Sequence, residues 1–135
     1  MMSHIVMPVQ IKVEIKNLEK ITGAFSKYPE KVAPYLRNAA MESAFAVERR
    51  AKILSPVDTG RMRASIATSL GIATRGLSSV VSTNVNYAIF VHEGTRRMRA
   101  RPFMRQGAEA ATENIQTIYE KQITLALKDI ANMAQ

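Results

Sequence analysis

The sequence contains no cysteine, no tryptophan and only two histidines, His4 and His92. Without cysteine there is no disulfide, no thiolate metal site and no cysteine nucleophile. No second histidine stands at a ligand spacing from either of the two, so no metal centre is expected. His92 and Glu93 are adjacent, which puts them on opposite sides of a strand or about 100° apart on a helix. The expected role of that pair is a polar surface or interface contact rather than general acid–base chemistry. Ser55 and Thr59 have no base in a recognisable motif, and Asp58 and Asp129 are the only aspartates. The glycines, Gly71 and Gly76 among them, are too sparse for a phosphate-cradling loop. No enzyme, no metal and no cofactor is expected. Nowhere do eighteen apolar residues run together, so no membrane-spanning helix is expected. The opening MMSHIVMPVQ lacks a basic region and a full apolar stretch, and is not expected to act as a secretory signal.

Acidic residues are also missing from one region, and that absence is more informative. The 135 residues are 47% hydrophobic and 22% charged, with a net charge of +8. These values describe a folded globular chain rather than a disordered one. One domain over 10–135 is expected, with 1–9 as a loose N-terminal segment. Residues 1–48 carry six Lys/Arg and five acids, and 106–135 carry two and four. Residues 49–105 carry eleven basic residues against two acids, and ten of the eleven are arginine. The planar guanidinium suits phosphate and carboxylate partners, so the middle of the chain calls for an anionic neighbour.

Periodicity sets the expected elements. Gln10–Lys16 alternates strictly, with Ile11, Val13 and Ile15 on one face, as a half-buried strand does. Leu18–Phe25 reads as a short helix or turn. From Pro34 to Leu54, Leu36, Ala39/Ala40, Ser43/Ala44, Val47, Ala51 and Leu54 recur at steps of three and four. That is an amphipathic helix of about 31 Å, with Pro29 or Pro34 in its first turn. Pro56, Asp58 and Gly60 stop it. Met62–Leu70 and Ser78–Val85 are short, serine-rich and β-branched, and are expected to pair antiparallel across a Gly71–Gly76 turn. Tyr87–Val91 fits either a buried strand or a short helix capped by Gly94, with the helix preferred. From Pro102 a stripe of Ala108, Ala111, Ile115, Ile118/Tyr119, Ile123, Ala126/Leu127, Ile130 and Ala134 predicts a helix of about 48 Å. A straight helix of that length exceeds the diameter of a domain this size, roughly 36 Å, and is expected to overhang or bend. An overhanging apolar stripe would find its cover most readily in a second copy of the chain. The fold class is therefore α+β: a small antiparallel sheet of three to four strands packed against two long helices, the second C-terminal.

The segment EGTRRMRARPF, residues 93–103, concentrates Arg96, Arg97, Arg99 and Arg101, and Arg105 follows. Pro102 excludes Arg101 from helical geometry, so 96–101 is extended or looped. If extended, Arg97, Arg99 and Arg101 share one face at about 6.6 Å spacing. Such a row touches a sugar–phosphate backbone without reading bases. It lacks the aromatic platforms of a single-strand binder, apart from Phe103. The helix after it turns acidic at Glu109, Glu113 and Glu120, unlike a recognition helix. These five arginines are candidates for a DNA-lining or subunit-interface role.

Three pieces in order, A-K-I-L-S-P-V-D-T-G-R-M-R-A-S-I (51–66), Y-A-I-F-V-H-E-G-T (87–95) and R-P-F-M-R-Q-G-A-E-A (101–110), resemble the tailed-bacteriophage head–tail joining family. Its members are also described as minor tail component or tail-completion proteins. The resemblance spans roughly residues 10–130. The matching positions are Pro56, Asp58, Thr59, Gly60, Arg63 and Ser65, then Tyr87, Ala88, Gly94 and Thr95, then Pro102 and Phe103. Met62 replaces the usual leucine, which conserves volume. His92 stands where the family often has a carboxylate, and Glu93 where it has an aromatic. Read physically, Asp58-Thr59-Gly60 is a tight turn, and Tyr87 and Phe103 are expected core anchors. The resemblance implies a non-enzymatic virion protein of a phage or prophage, made in the host cytoplasm. It implies an oligomeric ring, or ring component, between capsid and tail, whose partners are its own copies and other head, neck and tail proteins. The arginine segment would then face traversing DNA weakly, or an acidic face of the next component. The alternative, from charge alone, is a small basic protein that binds nucleic acid without sequence preference.

Overall fold

The period-two segment near the start of the chain becomes a strand, and the two period-3.6 segments become helices that run side by side. The computed structural model describes residues 9–13, 26–56, 60–71 and 76–133. In order they form β1 (Val9–Val13), α1 (Pro29–Leu54), α2 (Arg61–Ser65), β2 (Ala67–Leu70), β3 (Ser79–Thr83), α3 (Ala88–Glu93) and α4 (Phe103–Met133). The three strands make one antiparallel sheet in the order β1-β3-β2. The fold is α+β, with two long helices of which the second is C-terminal. The expected turn or helix at 18–25, most of the loose segment 1–9, and Asp58 and Thr59 lie outside the described residues.

α1 starts at Pro29, whose missing N–H falls where a helix has no acceptor for it anyway. The Tyr28 carbonyl opens the helix by accepting from the amides of Lys31 and Val32, each at 3.1 Å. Pro34 therefore lies inside the helix, not at its start. The buried side of α1 is built from small residues: Ala39, Ala40, Ser43, Ala44 and Ala51 are all fully buried. Small side chains let the sheet and α4 approach α1 from two directions at once. Phe103, Leu36, Ile66, Met104 and Val47 fill the remaining volume.

The sheet presents one face to the helices. Val9, Ile11 and Val13 of β1 pair with Thr83, Val81 and Ser79 of β3. Thr68 and Leu70 of β2 pair with Val81 and Ser79. Three of these eight inner-face residues, Thr68, Ser79 and Thr83, are polar, and all three are hydrogen-bonded. Ser79 Oγ donates to the Ala40 carbonyl at 2.8 Å and Thr68 Oγ1 donates to Glu48 Oε1 at 3.0 Å. The hydroxyls of Ser65 and Thr83 bond each other. Burial of these groups costs little because each retains a partner. On the other face Gln10, Lys12, Ala67 and Ser69 are exposed.

Two expectations change. The stretch Met62–Leu70 is not one strand: Arg61–Ser65 is a helical turn, and only Ala67–Leu70 pairs. Gly60, at φ 74°, reverses the chain into that turn, and Met62 and Ile66, four residues apart, bury together at its inner side. The four-residue step outweighed the β-branched composition. Nor does the C-terminal helix overhang. At about 46 Å it is unbroken. α1, lengthened at its N-terminus to about 39 Å, lies antiparallel along it. Near one end of the pair Gly107 abuts Ala51, and near the other Tyr35 donates to Asp129 Oδ2 at 3.2 Å. Ile123 and Ile130 pack with Val32 and Leu36 there. The predicted stripe faces α1, except Leu127, which is exposed; Ala134 lies outside the described residues.

Candidate functional site

α3, the loop 94–102 and the first turn of α4 form one tightly bonded corner. Ala88 and His92, four residues apart, are the buried residues of α3. Gly94 ends that helix at φ 82° and ψ 171°, a backbone region that glycine occupies almost alone. Its amide bonds the Phe90 carbonyl at 2.8 Å. A Cβ here would also meet the Ala100 amide nitrogen at 2.8 Å. Gly94 is thus required both by its conformation and by the chain that passes over it.

Beyond Gly94 the chain makes a turn. The Thr95 amide bonds the Met98 carbonyl at 2.9 Å, the reverse bond measures 3.3 Å, and Thr95 Oγ1 accepts from the Arg97 amide at 3.2 Å. Arg96 and Arg97 occupy the tip. Residues 96–98 bend, so the alternative of a straight row through Arg97, Arg99 and Arg101 does not hold; the segment is a loop. The Arg101 amide then bonds Val91 at 2.9 Å, tying the loop back to α3. Pro102 and Phe103 start α4, with the Pro102 carbonyl accepting from Gln106 at 2.9 Å and the Phe103 ring fully buried.

His92 holds the corner from inside. Its ring is 4% exposed and packs edge-on to Phe103, with centroids 5.4 Å apart. Nε2 accepts from the Arg105 amide at 3.4 Å, covering one of the donors that a helix N-terminus leaves open. Nδ1 lies 2.8 Å from Glu93 Oε1. Both bonds are satisfied by the tautomer carrying its proton on Nδ1. Arg105 Nη2 also reaches Glu93 Oε1, at 3.3 Å. The hydrogen bond from His92 holds the Glu93 carboxyl below the usual carboxylate range; burial opposes this, while the charge of Arg105 adds to it. Of the pair expected at a polar surface or interface, His92 is buried and only Glu93 is exposed. Their side chains meet because α3 turns the imidazole inward while Glu93, half exposed at its end, folds over it.

The arginines split accordingly. Arg105 is tied to Glu93, whereas Arg96, Arg97, Arg99 and Arg101 are exposed and have no ion-pair partner among the described residues. Exposed apolar groups flank them: Phe90 at 56%, Met98 at 39% and Tyr87 at 38%. Tyr87 is thus not the core anchor expected. It precedes α3 by one position, and the inward side of that helix is taken by Ala88 and His92.

The earlier motif residues hold a second corner. Pro56 is half-buried, Gly60 caps α2, and Arg63 reaches the Ser55 side chain and carbonyl, both at 3.4 Å. Ser65 Oγ donates to the Met62 carbonyl at 2.6 Å. These are chain-reversal contacts, well separated in sequence from the arginine loop.

One surface went unread in the sequence: Glu109, Glu113 and Glu120 share the face of α4 turned away from α1, and all three are exposed. Their spacing of four and seven residues was the available signal. Among the described residues no group of three or more His, Asp or Glu could hold a metal ion. No helix among them is long and apolar enough to cross a membrane.

No curated protein and no solved structure matches this chain. A family model does: "Bacteriophage HK97-gp10, putative tail-component" matches residues 16–94. The match runs through α1, the sheet hairpin and α3 to Gly94, leaving the arginine loop and α4 beyond its end. It covers more than half of the sequence, and the chain belongs to this bacteriophage tail-component family.

Proposed function

We propose that the protein is a non-enzymatic structural part of a phage or prophage virion, acting as an oligomeric ring or ring component at the head–tail junction. The observation that carries this reading is the family match over residues 16–94. The order of the further matching residues, through Pro102 and Phe103, supports it. The buttressed arginine loop suits a contact surface: its backbone is bonded to α3 while its four guanidinium groups reach solvent. Facing a DNA channel, a modest charge repeated around a ring would give a field without tight gripping. Facing protein, it would pair with acidic neighbours.

Deletion of the coding sequence from the phage that carries it tests the reading. Filled heads and tails that fail to join, with infectivity restored by the gene in trans, are expected. Normal yields of infectious particles from the deletion would overturn it. The exposed loop arginines also favour a second reading, nucleic-acid binding as the primary role. That reading predicts duplex affinity falling steeply with salt, and a flatter slope after Arg97, Arg99 and Arg101 are changed to alanine.

A further inference from the structure

We infer that the arginine loop of one copy seats on the acidic outer face of α4 of the next copy, forming a head-to-tail contact. This rests on the ring reading above and deepens it by naming the two surfaces. At about 100° per residue, Glu109, Glu113 and Glu120 fall within about 40° of one another around the helix. They span about 16 Å of its axis. Leu127, 41% exposed, lies in the same band. Gly107, Ala111, Gln122 and Ala126 occupy the opposite, buried side of α4. No basic group pairs with these three carboxylates among the described residues, although Lys121 and Lys128 lie on the same helix.

The complementary surface stands just before the same helix. Arg96, Arg97, Arg99 and Arg101 carry four positive charges with no acid between them, and within one copy none of them reaches α4's glutamates. Met98 and Phe90 give that surface an apolar component, to which Leu127 corresponds on the receiving side. The loop is also pre-organised. Gly94, the Thr95–Met98 turn and the Arg101–Val91 bond hold it, so little backbone entropy is lost on docking. Opposite charges on two different patches orient the encounter and discourage like-to-like pairing of loops. A contact between two different patches is heterologous, and repetition closes it into a ring when the rotation permits. The three carboxylates repel a duplex and attract guanidinium groups, so a second copy is the occupant the charges of this face favour.

The test is charge-swap complementation, using the full chain. One variant carries Arg97→Glu, Arg99→Glu and Arg101→Glu; the other carries Glu109→Lys, Glu113→Lys and Glu120→Lys. All six positions are exposed, and circular dichroism melting checks that each variant folds. In sedimentation velocity at low salt the wild type is expected to self-associate, and each variant to do so at least tenfold more weakly. Their equimolar mixture should regain assembly, because each loop again meets an opposite charge. Wild type monomeric throughout, either variant assembling like wild type, or a mixture that stays apart would each overturn the contact. If the arginine variant alone loses salt-sensitive duplex binding while the glutamate variant assembles normally, the loop faces DNA and the contact is wrong. The deletion phage separates the two proposals. A required gene whose single variants both restore full infectivity defeats this contact only, whereas a dispensable gene defeats the ring reading itself.

Discussion

Replacing Gly107 with alanine should destabilise the protein, although alanine is the better helix former. Gly107 is in α4 one turn from its start, where intrinsic propensity favours alanine by about 1 kcal/mol. Against this, a Cβ built there would stand 2.8 Å from the Ala51 nitrogen, 3.0 Å from its Cα and 3.1 Å from its Cβ. The first two belong to the backbone of α1, which cannot rotate aside as a side chain can. Relief requires the helices to separate where Gly107 meets Ala51, one turn from Phe103 and Met104 of the core. Overpacking of this kind costs about 1–3 kcal/mol, and rigid backbone neighbours place it at the upper end. The net expectation is a loss of about 1–2 kcal/mol, read as a fall in Tm of roughly 3–8 °C for a domain of this size. Thermal unfolding by circular dichroism measures it, with Ala110→Gly, exposed on the same helix, reporting the propensity effect alone. A rise in Tm for Gly107→Ala would refute the close approach of α1 and α4.

Three further outcomes follow from the same contacts. Gly94→Ala should cost about 2–4 kcal/mol, combining a backbone region closed to alanine with the Ala100 contact. It should also speed trypsin cleavage within 96–101, and unchanged cleavage would show that the loop is not held there. Because the Glu93 pKa is lowered in the folded state, this residue stabilises the fold above the ordinary value of 4.5, and the contribution fades as pH falls through its depressed pKa. Glu93→Gln should therefore lower Tm near neutrality and narrow the gap to wild type in acid; a pH-independent difference would contradict the assigned bonds. Ser43 Oγ is buried with no hydrogen-bond partner, so Ser43→Ala should stabilise by about 1 kcal/mol, and a loss of stability would reveal a bond the structure does not contain.

Much of the fold was legible because it rests on periodicity. Ile11 and Val13 alternate as a one-sided strand must, and Leu36, Ala40, Val47 and Ala51 recur as a helix face must. The Gly94 cap and the Pro102 start of α4 were legible for conformational reasons local to those residues. What escaped depended on partners distant in the chain. Ile66 and Thr68 give Met62–Leu70 its β-branched composition, and the helical turn at Arg61–Ser65 follows from where Met62 and Ile66 find space. His92 became a helix cap because Arg105, thirteen positions on, begins its helix beside it. The aromatic ring of Tyr87 predicts an inward position, but the buried side of α3 is the Ala88–His92 face and Tyr87 is exposed. The loop arginines were recognisable from charge and from the proline that follows them. Glu109, Glu113 and Glu120 are legible as acidic residues of the C-terminal helix, but they lie on separate turns and their common face appears only once the helix is wound.

Cryo-electron microscopy of purified particles tests the central claim most directly. Copies of this fold are expected in a closed ring at the head–tail junction, with the loop around Arg97 of each copy against α4 of its neighbour. Particles that are complete and infectious yet lack this chain would contradict it.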